Sequence, residues 1–598
     1  MIEDKHIINK LQEKDMIYTK DHKTGYLFDP WEYLGPKRRK LLDESWAGLF
    51  RKEILNELPV NEIAPFFTAN FGRPTKELYT VLGVLVIQQM QDLSDEETIS
   101  QLAFNQQWHY ALDVTGESDE AKYVCPKTLW NMRSMVTDNK LDDTVFNQVT
   151  DQLARAFKVD TSKQRIDSVH IKSNMRRLGR IGVLVKSIHK FLVNLKRKHQ
   201  EIFGTLEKDL VDRYLPKKAL SCFSKVKPSE SERTLAKVSA DLFDLVQRFS
   251  NQGEVTSMHS YQLLLRVLKE HCTVTEAKDD TPALVSVKPS KEVPSHSLQN
   301  PSDPDAGYDG HKGQGYQIQI METYCDTGDK KVKSQTLNLI THIEVEPAHE
   351  SDAHALLPAL ESTKDRGLAP KEVLADSLYG SDENCQAAEE MGVEVISPTM
   401  GSPKEHTLTL SDFKLSDREK ILSCPKGYAP VGIKTKKNRH RVAFDSEQCN
   451  PCPLITECPV KQGKKHHYLR FDDKALRIAQ RRAKEQGQEF KDRYRWRAGI
   501  EGSISAYDTR TGVKQLRVRG LKAVRFCATL KAVAINILRA TAVRKALNVA
   551  KGSLEGRQSS LSHAVFIFKE HFGAVLERIR NIFTLRAHNY HFVIKIAA

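Results

Sequence analysis

The stretch 372-EVLADSLYGSDENCQAAEEMGVEVISP-398 reads as strand, tight turn, helix and strand. Val373, Leu374 and Ala375 form an apolar run that ends at Asp376, just before a Ser/Gly turn. Ser381, followed by Asp382 and Glu383, starts a helix, because a serine oxygen accepts from the unpaired N–H groups and acids suit the positive helix end. Gly392 stops that helix, since glycine takes the left-handed backbone at no steric cost. A carboxylate at the C-terminal end of such a strand sits on the rim of the sheet, where α/β active sites form.

Upstream, the period is two. In 315-GYQIQIMETYCD-326, Tyr316, Ile318 and Ile320 alternate with Gln317 and Gln319. In 336-TLNLITHIEVE-346, Leu337, Leu339, Thr341, Ile343 and Val345 alternate in the same way. This patterning predicts paired antiparallel strands. A helix over 350–367, stopped by Gly367, follows them. Earlier still, 165-RIDSVHIKSN-174 alternates Asp167, Val169 and Ile171 with Ser168, His170 and Lys172, again a strand. Residues 176–272 are helical in pattern and rich in Lys and Leu, and 273–306 read as a Pro/Ser/Asp-rich connector. The order is strand, helical insertion, strand, strand, helix, strand, helix, strand. That is an α/β layer with a mixed sheet, interrupted twice.

Residues 1–150 are mostly helical in pattern, with Ser94 before Asp95, Glu96 and Glu97 as a helix start. With Trp130 and Arg133 at a basic, aromatic tip, these helices suit a DNA-reading module, a dimer interface or plain core, and the sequence does not choose. The N-terminal MIEDKHIINKLQEKD is charged and has no apolar h-region, so no signal peptide is expected. No apolar run approaches the ~18 residues of a membrane span, and a cytoplasmic protein with no membrane partner is expected.

Net charge is +14 over 598 residues, and residues 471–550 hold 19 Lys and Arg against 7 Asp and Glu. A focused positive field is the footprint of a polyanion partner; a solvated basic helix face is the plainer reading. Within it lies 493-RYRWRAGIEGSISAYDTRTG-512, where Glu501 stands among arginines and Tyr494, Arg497 and Glu501 are spaced by three and four, as on one helix face. An Arg497–Glu501 pair alone would be a surface ion pair contributing about 0.3–0.5 kcal/mol.

Five motifs in order resemble the DDE transposases of bacterial insertion sequences. They are 167-DSVHIKSN-174, 303-DPDAGYDGHKGQGYQIQI-320, 375-ADSLYGSDEN-384, 494-YRWRAGIEGSISA-506 with its Tyr-x2-Arg-x3-Glu pattern, and 512-GVKQLRVRGLKAV-524. Together they cover roughly residues 60–545. The resemblance implies an α/β ribonuclease-H-like core, a mixed sheet with flanking helices, interrupted by a helical insertion and a cysteine-bearing insertion. The expected organisation is a helical N-terminal domain (1–150) for DNA binding or dimerisation, the first part of the core (151–400, with the helical insertion at about 176–300), the cysteine-bearing insertion (401–470), a basic helical segment completing the core (471–545) and a C-terminal helical tail (546–598).

The resemblance also implies chemistry. Asp167, Asp376 and Glu501 would hold two Mg²⁺ or Mn²⁺ ions about 3.5–4 Å apart for in-line phosphodiester displacement, with Asp167 bridging both. Oxygen ligands suit such hard cations. Tyr494 and Arg497 would contact phosphate at the transposon end, with Arg510, Lys514, Arg517 and Arg519 as further DNA contacts. The partner would be double-stranded DNA, both terminal inverted repeats and target, in a synapse with a homo-oligomer near the nucleoid. One departure stands out: many members of the wider superfamily carry a lysine seven residues after the glutamate, and here that position is Asp508. Two rival readings are an inactive DNA-binding relative and a nuclease of the same fold that cuts without joining.

Cys424, Cys449, Cys452 and Cys458 stand as C-x24-C-x2-C-x5-C, a set suited to a closed structural Zn²⁺ site, with His466 or His467 as substitutes for one ligand. The plain alternative is four reduced thiols. Asp303, Asp305 and Asp309 lack the distal glutamate of a calcium loop and read as turn residues. His170 and Lys172 read as a packed or solvated face, and His311 and Lys312 lie just before a core strand. The tail holds an amphipathic helix over 562–583 with no assignable chemistry.

Overall fold

The computed structural model describes residues 16–68, 72–217, 222–275, 284–401, 407–416, 421–555 and 573–578. Its longer N-terminal helices are α1 (Leu78–Met90), α2 (Asp95–Phe104), α3 (Pro126–Asp138) and α4 (Leu141–Phe157). The start of α2 is a reciprocal cap: the Ser94 side chain accepts from Glu97 N, and the Glu97 carboxylate accepts from Ser94 N. In α1 almost every residue is buried, and Gly83 allows a close approach: a Cβ there would lie 2.5 Å from the Leu112 side chain.

Strand β1 (Lys163–Ile171) leads into a helical lobe, α5 (Arg180–Lys198), α6 (Ser231–Phe249) and α7 (His259–His271), which has its own core around Phe191, Leu242, Phe249 and Tyr261. The chain then returns as β2 (Gly313–Thr323), β3 (Ile340–Pro347), α8 (Leu356–Asp365), β4 (Glu372–Leu374), α9 (Asp382–Glu390) and β5 (Glu394–Ile396). The five main strands run in the order β3–β2–β1–β4–β5, and a short sixth strand, Gly307–Asp309, pairs antiparallel with the start of β2. β1, β2 and β3 are antiparallel neighbours, while β4 runs parallel to β1, and β5 parallel to β4. Gly367 and Gly392 close α8 and α9 at φ +71° and +79°.

Alternation along the strands decides what each face meets. Ile166, Met321, Val373 and Ala375 pack under α8 and α9. Val169, Ile171, Ile318 and Ile320 pack on the opposite side, in one core with the N-terminal helices and the C-terminal helix. That last element follows β6 (Gly432–Lys436), β7 (Arg439–Asp445), β8 (His466–Asp472), α10 (Asp473–Glu485), α11 (Gln488–Tyr494) and α12 (Gly499–Thr511), and it is α13 (Leu521–Glu555).

α13 packs on α1, α4 and β3. Its buried Asn536 accepts from Ile340 N and donates to Ile340 O and Thr150 Oγ1, which satisfies the edge of β3. Residues Leu521–Ala550 reach the length and mean hydropathy (1.4) of a membrane-crossing helix. This departs from the expectation that no apolar run approaches that length. The apolar surface of the helix is accounted for by packing, since 78% of the most apolar window is buried.

The connector over 273–306 is more ordered than its composition suggests. A two-stranded ribbon, Cys272–Thr275 with Leu284–Val287, opens it, and buried Leu298, Asn300, Asp303 and Ala306 close it. Of the C-terminal stretch 562–583, only 573–578 lies within the described residues, and it is helical.

A charged knot fastens the N-terminal segment. Asp113 accepts from Tyr26 Oη (2.6 Å), Arg51 Nη2 (2.8 Å) and Lys20 Nζ (3.0 Å), and lies 3.2 Å from His22 Nδ1. Burial opposes charge on Asp113, yet His22, Tyr26 and Arg51 hold its carboxyl well below the usual range. Burial likewise opposes protonation of His22, yet Asp113 and Glu77 raise it. The Asp113 contribution is present above 3.8 and fades as pH falls through its lowered value; the His22 contribution is full below 6.5 and fades as pH rises through its raised value. The melting-temperature advantage of wild type over His22→Gln should therefore be largest at about pH 5–6 and shrink above neutrality. A gap that stays constant from acid to alkaline pH would remove the charge from this account.

Candidate active site

The parallel register of β1 and β4 sets Arg165 opposite Leu374. Two residues further along each strand come Asp167 and Asp376, at the same C-terminal level. Their inward neighbours Ile166 and Ala375 face α8 and α9, so both acids point to the other side. That side carries α11 and α12, and Glu501 is in the first turn of α12. Three carboxylates separated by 209 and 125 residues in sequence thus converge at one sheet rim.

Arg497 joins them. Its Nη2 donates to Asp167 Oδ2 at 2.8 Å, and its Nη1 lies 3.7 Å from Glu501 Oε1. Burial raises the Asp167 carboxyl; Arg497 opposes this, while Asp376 and Asp352 push it further up. Glu501 is 72% exposed at its side chain. Among the described residues, no group of three or more His, Cys, Asp or Glu is arranged as a ready ion cage. At this rim a guanidinium neutralises Asp167, and Glu501 is turned to solvent.

Asp352, which the sequence reading did not single out, is the fourth acid of the site. It accepts from Ser168 Oγ (3.0 Å) and Gln319 Nε2 (2.8 Å), and Tyr379 Oη donates to Gln319 Oε1 (2.5 Å). Its signal in sequence was only that of a helix-start aspartate. Lys312 reaches this rim as well, with Nζ 3.4 Å from Ser168 Oγ. His170 is half-buried, and burial lowers its pKa.

The helix holding Glu501 differs from the sequence expectation. Tyr494 ends α11, and Arg497 lies on a 3-10 turn, Arg495–Ala498, before α12 begins. The three residues are therefore not on one α-helix, although Arg497 and Glu501 still face each other. The turn is held from below by Arg165, whose Nη1 donates to Trp496 O (2.7 Å). Gly499 is required there, because a Cβ would lie 2.2 Å from Arg165 Nη1. Arg493 is a clamp rather than a free cation: it pairs with Glu372 (2.8 Å) and Glu394 (2.6 Å) on β4 and β5. Tyr494 stacks on Phe490 at 5.3 Å and is half-buried.

The remaining sequence-assigned cations lie just beyond. Arg510 and Lys514 are exposed and have no carboxylate partner among the described residues. Arg517 pairs with Asp92 (3.0 Å), and Arg519 donates to Asn174 O. Asp508, at the position of the absent lysine, accepts from Lys514 N (3.0 Å), and its carbonyl accepts from Gly512 N (2.6 Å). It closes the end of α12 at Gly512, φ +65°. The three aspartates of 303–309 serve turns and joints: buried Asp303 accepts from Ser173, Tyr316 and Gly520 N, Asp305 accepts from Leu521 N at the start of α13, and Asp309 accepts from His311 N and Lys312 N.

Two family models match. One, described as a transposase DDE domain, covers residues 423–541, a span that includes Glu501, Tyr494, Arg497 and the four cysteines. The other, described as a transposase domain (DUF772), covers residues 46–135 in the N-terminal helices. The chain is a DDE transposase of the insertion-sequence kind. No curated protein matches it. As a transposase it acts on DNA as a nucleotidyl transferase, in a family that generally uses divalent metal ions. Asp167 and Asp376 lie outside both matched spans. The helices α1–α3 of the second span share one core with the sheet and α13, and Arg133 is bonded to Asp95 and Gln88. Trp130 is exposed, with Lys127 Nζ 4.1 Å from its ring centre.

The four cysteines of the transposase line one cavity of about 30 Å³, together with Phe444, Leu454 and Ile455; neither His466 nor His467 lines it. Cys424 opens a turn that needs Gly427 at φ +87°, and Cys449 and Cys452 are joined by Cys452 N donating to Cys449 O (3.1 Å). Burial, then Cys424, Cys458 and Cys452, pushes the Cys449 thiol up to about 11. Deprotonated together, four such side chains would repel one another unless a cation offset them.

Proposed function

We propose that Asp167, Asp376 and Glu501 form one metal-dependent centre that cuts DNA at the terminal inverted repeats of its element and joins the freed end to target DNA. The observation that carries this reading is the β1/β4 register, which ends two residues before Asp167 and Asp376, together with the charge of Asp376 acting on Asp167 and Arg497 touching both Asp167 and Glu501. The sheet order, with three antiparallel strands followed by two parallel ones, supports a ribonuclease-H-like core interrupted by the helical lobe and the cysteine-bearing segment.

Three carboxylates suit hard divalent cations: Asp167 is raised by burial and by its acidic neighbours, and among the described residues the cation paired with it is Arg497. Bound there, Mg²⁺ or Mn²⁺, as two ions, supplies activation of the attacking oxygen and charge neutralisation at phosphorus. Asp167, on β1, and Asp376, in the turn after β4, would be the better-held ligands, and Glu501 would approach from the solvent side. Asp352 with Ser168 holds the rim of β1. Arg497 neutralises Asp167 in the free protein and is the nearest guanidinium for a scissile phosphate, with Tyr494 beside it. Arg510, Lys514, Arg517 and Arg519 extend the contact along the backbone. In the first step water oxygen bonds to phosphorus and the P–O3′ bond breaks, leaving a 3′-hydroxyl. In the second, that hydroxyl bonds to a target phosphorus and displaces the target's own 3′-oxygen. The transposase works in this reading as a homo-oligomer holding two ends, on cytoplasmic DNA.

The test is a cleavage and strand-transfer assay on labelled duplex carrying the repeats that flank the element, with Mg²⁺ or Mn²⁺. Nicked and joined products are expected. Nicking without joining would make the chain a nuclease, and binding without either would make it an inactive relative.

The four cysteines line one small cavity without forming a ready ion cage, and in this reading they close around tetrahedral Zn²⁺ as a structural site. Metal analysis of the purified protein should find about one zinc per chain, lost in Cys449→Ser/Cys452→Ser. A protein with no zinc at all, refolded or native, would leave the cysteines as packed thiols.

A further inference from the structure

The cysteine-bearing segment carries a second feature that the chemistry above does not use. Strands β6, β7 and β8 pair antiparallel, and the register sets Lys434 opposite Arg441 and Arg441 opposite Arg470. Three cations therefore stand in one row across three strands, with neighbouring strands about 4.8 Å apart. One step along, Lys436 faces Arg439. The alternate residues Val442, Phe444 and Leu469 turn into the core with the cysteines, so the cations share the outer face, where all five are exposed.

Such a row is unfavourable by itself, since like charges directly opposite each other destabilise a strand pair. None of the five has an ion pair within 4.0 Å among the described residues. The one acid in the row, Asp472 opposite Arg439, is occupied in capping α10, where it accepts from Ala475 N (2.8 Å). Arg441 lies over the Tyr468 ring at 4.8 Å, which holds its guanidinium along the face. The row borders a groove of about 620 Å³.

We propose that this face binds the phosphate backbone of duplex DNA, as a contact separate from the cations around Glu501. Cations two residues apart on one strand are about 6.8 Å apart, the scale on which successive phosphates recur. The face is also rigidly tied to the active site. β8 runs directly into α10, and α10 is bound to the rim by Arg477–Asp382 (2.6 Å) and by Arg481 Nη1 to Gly380 O (2.8 Å). DNA lying on both surfaces is thereby held in a fixed register relative to the three acids. The inference rests on the chain's action on DNA, and not on the metal chemistry of those acids.

The test uses the full-length protein and a labelled 40-bp duplex of random sequence, without added Mg²⁺ or Mn²⁺, so that failure of cleavage has no bearing on it. Dissociation constants are measured across a salt series. In Lys434→Ala/Arg441→Ala/Arg470→Ala, affinity should fall about tenfold or more at low salt, and the slope of log Kd against log salt should drop by about 2–3, near 0.9 per lost phosphate contact. Arg441→Lys/Arg470→Lys, which keeps the charges, should retain most of the slope. Lys196→Ala/Arg197→Ala/Lys198→Ala, which removes three exposed cations from the end of α5, should leave both quantities unchanged. An unchanged slope in the first variant, or an equal drop in the α5 variant, overturns the proposal. So does undiminished DNA binding accompanied by loss of binding to phosphatidylserine vesicles, which would assign the face to a membrane surface.

Discussion

Glu501→Gln should cut DNA about a thousandfold more slowly than wild type and bind it as tightly. The change removes one charge and keeps shape. The Glu501 side chain is 72% exposed and its one ionic contact is Arg497 at 3.7 Å, so stability should move by no more than about 0.5 kcal/mol, as for an exposed helix pair. Loss of activity would therefore report chemistry and not unfolding. Asp167→Asn should lose as much activity by a different route. It keeps the hydrogen bond from Ser168 N (2.9 Å) but strands the guanidinium of Arg497, so its melting temperature should change as well. Denaturing gels for nicked product and anisotropy for binding separate the two effects. A Glu501→Gln enzyme cutting within about threefold of wild type would remove Glu501 from the site.

The second large effect should come from a residue that touches no DNA. Glu322 is fully buried and holds two guanidiniums: Oε1 accepts from Arg165 Nε (2.8 Å) and Nη2 (2.6 Å), and Oε2 accepts from Arg539 Nη1 (2.9 Å). The register sets Glu322 directly opposite Arg165. Glu322→Gln leaves two cations facing one neutral amide, and breaking a buried pair in this way costs about 3–5 kcal/mol. The denaturant midpoint should fall accordingly. Because Arg165 also holds Trp496 O, the turn carrying Arg497 should loosen, and cleavage should fall even under conditions where the variant is folded. A loss of stability below about 1 kcal/mol would show that the pairing with Arg165 and Arg539 is replaceable.

These two residues mark the limits of reading along the chain. Glu501 was legible because its motif is local: Tyr494, Arg497 and Glu501 keep a fixed spacing, and the helix that follows ends at a glycine. Asp376 was legible because an apolar run leads into it and a turn follows. β1, β2 and β3 were legible from period two, β4 from its apolar run Val373–Ala375, and α8 and α9 from their closing glycines. Glu322 and Asp352 were not, because neither has a local pattern that sets it apart from an ordinary strand or helix-start acid. Each acquires its role from a partner supplied by another element: Arg165 and Arg539 for Glu322, Ser168 and Gln319 for Asp352. The same holds for Arg493, which looked like a DNA contact by composition and is a clamp on Glu372 and Glu394.

The sequence by itself pointed to the alternating faces of β1, β2 and β3, to the starts and stops of α2, α8 and α9, and to three acids at strand ends and in a basic helix, but it gave no sign of β6–β8 or of the turn that separates Tyr494 from α12. Alternation and capping are short-range, and they act within a few residues. Only the tertiary structure decided that those acids share one rim, that Arg497 bridges two of them in the free protein, and that the N-terminal helices form one core with α13 and the sheet. Those outcomes depend on strand register, on burial and on the pairing of charges hundreds of residues apart, and these are fixed only when the sheet closes and water leaves its two faces.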